Sequence, residues 1–234
     1  MKLAEIEQTF HFEYPTLYKQ LEQDLMLDVG EYGSTWYSTV FPKIKDHPTL
    51  LLHSCDFELL SVDAVNQALE ELRDPQDYRN IDPHFCFVPF AQSGAGDHYC
   101  FFFTEKTQKE IPIVFLWHDC NQVDYLANNL QDFIFRALLT DMSELDIENG
   151  ASEEEFRANL KNTLTTHLRY LSPKQAHILE TFFAKEIKDY EVIAFKGRKE
   201  LHKGLLDQNE LKAILNDVIA LDTLGETFEY STSH

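Results

Sequence analysis

Phe85-Cys86-Phe87-Val88-Pro89-Phe90-Ala91, Gln92-Ser93-Gly94-Ala95-Gly96-Asp97, His98-Tyr99-Cys100-Phe101-Phe102-Phe103 and, after a polar turn, Ile111-Pro112-Ile113-Val114-Phe115-Leu116-Trp117-His118 decide the architecture of this chain. Aromatic and β-branched residues fill three short runs, each bounded by residues that turn or break the chain, which is the pattern of an antiparallel meander. Gly94 and Gly96 supply the left-handed backbone positions that a tight strand connection needs. Beyond the third run, Val123, Leu126, Leu130, Phe133, Ile134 and Leu138 recur at helical spacing and predict one apolar helical face laid on the sheet. The implied core is a sheet covered by helices on one side.

Working outward toward the start, Leu3, Ile6 and Phe10 mark a short amphipathic helix, and a second opens at Pro15 with Leu17, Leu21 and Leu25 on its inner face. Residues 28–34 read as a loop, followed by an aromatic cluster of Trp36, Tyr37 and Phe41. Leu50–Leu52 suits a short strand, and Ser61 is a helix N-cap ahead of Val65, Ala68, Leu69 and Leu72. A polar connection with two prolines, residues 73–83, leads into the sheet.

Toward the end, residues 145–150 form an acidic link, and three capping boxes open helices at Ser152, Ser172 and Asp207. Tyr190–Phe195 reads as a short strand or a helix extension in mildly basic surroundings, and residues 227–234 as a frayed tail. The expectation is an α+β domain over residues 1–142, an antiparallel or mixed sheet packed by helices. A helical extension, residues 143–234, either completes that core or offers a second partner surface.

Of the 234 residues, 40 are acidic and 20 basic, for a net charge of −20. The excess is uneven: residues 1–148 hold 26 acids against 9 bases, and residues 149–234 hold 14 against 11. Between Lys45 and Arg73 there are six acids and no base. Such a surface repels the phosphates of nucleic acid and of anionic membranes, and attracts a basic protein. No apolar run is long enough to span a bilayer, and Met1-Lys-Leu-Ala-Glu-Ile-Glu lacks the apolar segment of a secretory signal, so a cytoplasmic protein is expected. Cys55, Cys86, Cys100 and Cys120 show no Cys-x-x-Cys spacing and read as reduced thiols.

The chemistry-bearing motifs point away from catalysis. The Gly94-Ala95-Gly96-Asp97 turn runs into a strand, with an acid where a phosphate loop opens a helix and carries Lys or Ser/Thr. It serves either to shape the hairpin or to present Asp97. His118-Asp119-Cys120 holds the residue types of a nucleophile and its base, yet neighbours on a strand point to opposite faces. His53, His84, His98 and His118 have neither the helical nor the strand spacing that would gather metal ligands. No catalytic residue, metal or cofactor is expected.

The order of a Val-Pro-Phe strand end, the Gly-x-Gly-Asp turn, a Tyr-Cys strand, a Pro-x-Val strand ending in His118-Asp119, and a helix carrying Phe133-Ile134 resembles the SUKH superfamily over residues 1 to 140 or so. Tyr14-Pro15, Trp36-Tyr37, Pro48-Thr-Leu-Leu-Leu52 and Phe57-Glu58 agree. The chain departs from the pattern in placing Phe101, Phe102 and Phe103 where many members carry an acid. The superfamily takes in fungal regulators of cell-wall synthesis and bacterial immunity proteins. The resemblance therefore implies an immunity protein that occludes a cognate toxin, a basic nuclease-type effector on the charge argument. A regulatory scaffold is the alternative, which long disordered flanks would favour. A small hydrolase using His118 with Cys100 or Cys120 is the third reading, which would show an activity lost on thiol alkylation. Loop and turn positions offer Glu31, Trp36, Asp97, His98 and Asp119 as partner contacts. A homo-oligomer is left open.

Overall fold

The computed structural model describes residues 2–104, 110–145, 152–193, 197–219 and 226–231. It is an α+β fold whose six-stranded antiparallel sheet runs in the order β1 (Glu58–Leu59), β2 (Cys86–Gln92), β3 (His98–Phe103), β4 (Ile113–Leu116), β5 (Val123–Ala127) and β8 (Thr227–Phe228). The three strands read from the sequence are β2, β3 and β4. Val123 and Leu126, which the helical spacing had grouped with the following helix, belong instead to β5, and that helix, α6, begins at Leu130. The break falls at Asn129, whose side chain accepts from the Asp132 amide and caps α6. Pro89 lacks the N–H that an interior strand must donate, and the register shifts between Pro89 and Ala91 in a local bulge.

Alternation along β3 sends Tyr99, Phe101 and Phe103 to one face of the sheet and Cys100 and Phe102 to the other. The first face packs on α1 (Leu3–Phe10), α2 (Thr16–Gln23), α5 (Val62–Leu72) and α6 (Leu130–Ser143). Phe101 meets Phe90 at 4.8 Å and Tyr18 at 5.0 Å between ring centroids. Leu25, expected on the inner face of α2, lies past its end with φ +59° and is exposed; Tyr18 and Leu21 take the buried positions.

The second face is covered too, which corrects the one-sided core. Phe228 of β8 sits 5.2 Å from Phe102, 5.3 Å from Tyr125 and 5.4 Å from Phe85, and Tyr230 is buried beside them. Residues 227–231 are therefore packed where a frayed tail was expected; 232–234 lie outside the described residues.

Two short helices, α3 (Trp36–Thr39) and α4 (Phe41–Ile44), precede residues 50–56, which form turns in place of the expected strand. The Leu50 amide donates to Met26 O and the Leu51 amide to His167, so the backbone finds its partners outside any ladder. The C-terminal part holds α7 (Glu153–His167), α8 (Pro173–Phe183) and α9 (Gln208–Val218), and it is not wholly helical. It also forms a hairpin of β6 (Lys188–Ile193) and β7 (Lys199–Gly204), besides β8. Leu160, Leu164, Leu179, Leu205, Leu206 and Leu211 join the same hydrophobic cluster as the first sheet face. Residues 146–150 of the acidic link and Ala194–Lys196 beyond β6 lie outside the described residues.

All three caps form, but only two of the three boxes close, because at Ser152 the Glu155 side chain does not return to the cap backbone. Ser152 accepts from the Glu155 amide at 3.1 Å, and complete boxes stand at Ser172 and Asp207. Asp207 accepts from the amides of Asn209 and Glu210, Glu210 returns to the Asp207 amide, and Lys188 Nζ lies 2.9 Å from Asp207. Asp207→Ala is expected to lower stability by about 1 kcal/mol, the usual worth of a cap, measured by urea titration. Lys188→Ala, which removes the half-exposed ion pair and leaves the cap, should cost about half of that or less.

Candidate functional site

One end of the sheet gathers the sequence features singled out above. Glu58 faces Gln92, Gln92 faces His98, His98 faces Leu116 and Leu116 faces Val123 across successive strands. That register brings Asp56 and Glu58, the 93–97 turn and the 117–122 turn to the same end. Gly96 takes φ +95° in the tight connection, a left-handed value that glycine adopts freely. The Gly94 amide donates to Asp56 Oδ1 at 2.7 Å, tying the hairpin to the entry of β1.

Asp97 is buried at the centre of this end. Its Oδ1 accepts from the His118 amide at 2.9 Å and from His118 Nδ1–H at 2.7 Å, and the Ser93 hydroxyl donates to Oδ2 at 3.0 Å. Burial by itself would raise its pKa, but these hydrogen bonds outweigh it and hold the carboxyl below the ordinary value. Asp97 thus braces the β2–β3 and β4–β5 connections instead of displaying its charge. A ligand atom from each of Asp97, His118 and the exposed Asp119 lies within 4.8 Å of the others. The bonds from His118 to Asp97 account for that proximity. His98 is partly buried with Nδ1 unpartnered among described atoms, and burial, with Arg79 adding, depresses its pKa to about 4, so the ring is neutral at pH 7. Arg79 is itself paired with Asp77 at 2.7 Å.

Thiol chemistry finds little support in this geometry. Cys100 is fully buried and its thiol is pushed well up. At Cys120, desolvation and the neighbouring carboxylates, Asp119 foremost, push the thiol up as well. A nucleophilic cysteine needs the reverse, a positive neighbour that lowers its pKa. His53 bonds Lys45 O and His84 bonds Asp82, each away from the His118 corner.

A second feature adjoins this end at the β1 edge. The loop after α2 folds back so that Val29 O accepts from the Trp36 indole at 2.8 Å. Trp36 is thereby 6 % exposed, while Tyr37 beside it is 78 % and Tyr32 45 % exposed. Ring centroids of Tyr32 and Tyr37 each lie 5.0 Å from that of Trp36, and Phe41 lies 5.7 Å away. With Phe57 and Glu58 they surround a cavity of about 250 Å³ floored by Leu50 and Leu52.

Of the five residues offered as contacts, Asp97, His98 and Asp119 come together at the sheet end, with Asp97 buried. Glu31 and Trp36 lie on the aromatic loop, Glu31 exposed and Trp36 buried beneath the tyrosines. Tyr32, Asp56 and Glu58 were not singled out. The available signal was local: four aromatic residues between Asp28 and Pro42, in a stretch with few other apolar side chains. Glu31, Asp56, Glu58 and Asp119 are exposed, and none pairs with a described base. Among the described residues no helix is long and apolar enough to cross a membrane.

Compared with known proteins, residues 2–136 match the family model described as SMI1 / KNR4 family (SUKH-1), which covers more than half of the chain. No curated protein and no solved structure matches.

Proposed function

Because this chain belongs to the SMI1 / KNR4 family (SUKH-1), within a superfamily of immunity proteins and regulators, we propose that it is an immunity protein that binds and blocks a basic toxin in the cytoplasm. The observation that carries the reading is the pairing, at the β1 edge and adjoining sheet end, of exposed Tyr32 and Tyr37 with exposed acids that no described base neutralises. Protein interfaces draw most of their energy from a few aromatic anchors, while surrounding charges mainly set encounter rate and discrimination. A chain of net charge −20 suits a partner that is basic because it must hold phosphates. Blocking by occlusion asks for no catalytic group here, and the Cys100 and Cys120 thiols are both pushed up in pKa toward the unreactive protonated form.

Affinity capture from the native cell at about 50 mM and 500 mM salt tests this. The expected result is one stoichiometric basic partner, toxic when expressed alone and harmless beside this protein. Its affinity should fall by roughly tenfold or more across that salt range, since screening shortens the reach of exposed charges. Capture of several signalling or cell-wall enzymes, with no toxic one among them, would replace the immunity reading with the regulator reading.

A further inference from the structure

The cavity beside β1 is lined mainly by aromatic and apolar residues. Its walls are Tyr32, Trp36, Tyr37, Phe41 and Phe57, and the single charged group on its lining is Glu58. A volume of about 250 Å³ lies below the ~300–1,000 Å³ typical of pockets for drug-sized ligands, so it matches one side chain. Tyr37 stands at 90° to the Trp36 ring and Tyr32 at 34°, so ring faces are offered from more than one direction. Glu58 Oε2 accepts from the Gln92 amide group at 3.0 Å, a neutral donor, and its charge is not balanced by a described base. Burial first, and then the Glu58 charge, pushes the Tyr32 hydroxyl up to about 12.

We propose that this pocket receives one arginine side chain of the basic protein partner, its guanidinium stacked on the aromatic walls and its charge met by Glu58. The proposal rests on the reading of the protein as a binder of a basic partner and names the group that is recognised. Ring faces carry negative potential and attract cations, the aliphatic stem is suited to the partly exposed Leu52 on the lining, and the carboxylate completes the charge balance. Arginine fits better than lysine because its planar, weakly hydrated guanidinium stacks on aromatic rings, whereas an ammonium holds its water tightly. An apolar side chain would fill the space and leave Glu58 beside it without a counter-charge, which desolvation makes unfavourable.

The test uses the whole chain and needs no toxin. The chain has two tryptophans, Trp36 and Trp117, so two indole N–H resonances are expected, and Trp117→Phe assigns them without touching the pocket. Titration with the capped tripeptide Gly-Arg-Gly, and separately with its neutral twin carrying citrulline for arginine, should move the Trp36 signal saturably with the first and at least fivefold less with the second. Trp117 should stay still in both. Glu58→Gln should weaken the arginine response several-fold while leaving the free spectrum intact, and the lysine tripeptide should bind more weakly than the arginine one. Equal responses to arginine and citrulline would overturn the proposal in favour of a merely apolar slot. No saturable Trp36 shift would overturn it outright, whatever partner the protein captures, so its failure is separate from failure of the immunity reading.

Discussion

Replacing His167 with alanine is expected to lower the stability of the fold by about 4 kcal/mol, read from the urea midpoint at pH 7.5. His167 is fully buried at the end of α7. Its Nδ1–H donates to Thr163 O at 2.9 Å and its Nε2 accepts from the Leu51 amide at 3.0 Å, across 116 residues of chain. Leu51 has φ +52°, a left-handed conformation that costs a non-glycine residue about 1–2 kcal/mol and persists where surrounding contacts hold it. Alanine leaves a buried amide without an acceptor, worth about 1–3 kcal/mol, and a cavity of imidazole size that adds a comparable amount. His167→Gln, whose side-chain oxygen reaches a similar place, should recover part of the loss. Leu50 and Leu52, on either side of Leu51, floor the aromatic pocket, so this contact also ties the C-terminal helices to the candidate site.

The same bond sets a pH dependence. Nε2 can accept only in the neutral imidazole, and burial depresses the His167 pKa to about 4 from an ordinary 6.5. Above pH 6.5 the contribution is fully present, because folded and unfolded chains are both neutral there. As pH falls from 6.5 toward 4 the unfolded chain takes up a proton that the folded chain refuses, and about 3 kcal/mol is lost. Asp141 acts in the opposite sense: burial raises its pKa to about 6, so the folded form gains relative stability on acidification over part of the same range. The difference between wild type and His167→Gln across pH 4 to 6.5 isolates the histidine, since glutamine does not titrate. Parallel stability curves would show that His167 is not held neutral.

Gly204→Ala is expected to cost about 3 kcal/mol through crowding alone. A Cβ built there would lie 2.1 Å from Ser143 O and 2.5 Å from Ser143 C, both backbone atoms that cannot rotate away. The approach is this close because the β6–β7 hairpin and the residue just after it supply partners to the carbonyls at the end of α6. The Leu205 amide donates to Met142 O at 2.8 Å, and the Tyr190 hydroxyl donates to Ser143 O. Separating these segments to admit a methyl group would strain that join and unseat Leu205 and Leu206, which are fully buried. Gly33→Ala is the control: nothing lies within 4 Å of its built Cβ, and its stability should change by about 0.5 kcal/mol or less. If both variants unfold at the same urea concentration, the close approach at Gly204 is not a constraint.

Much of the fold was legible because its signals are local. Ser61, Ser152, Ser172 and Asp207 cap helices through amides two or three residues away, and the runs at Phe85–Ala91 and His98–Phe103 pair through a turn of few residues. Leu50–Leu52 and Val123–Leu126 were misread for a related reason. Apolar side chains announce burial, and burial alone does not distinguish a strand from a turn or a helix. The Phe101-Phe102-Phe103 run held a further clue: adjacent strand residues point to opposite faces, so three aromatics in a row require cover on both sides.

For the candidate site the division is sharper. Composition established the acid excess and its concentration in residues 1–148, and the aromatic content of residues 28–42 pointed to that region. Which of those side chains face solvent was decided by packing. Trp36 turns inward because Val29 O accepts a hydrogen bond from its indole N–H, leaving Tyr32 and Tyr37 outside. Asp97 turns inward because His118, 21 residues later, supplies two donors. Sequence by itself thus determined the three central strands β2, β3 and β4, the helix caps and the sign of the surface charge, all properties of residues within a few positions of one another or of their sum. Tertiary structure alone decided the second cover of the sheet, the bond from His167 to Leu51 and the exposure of the pocket aromatics, because each depends on groups that meet only once distant segments have packed.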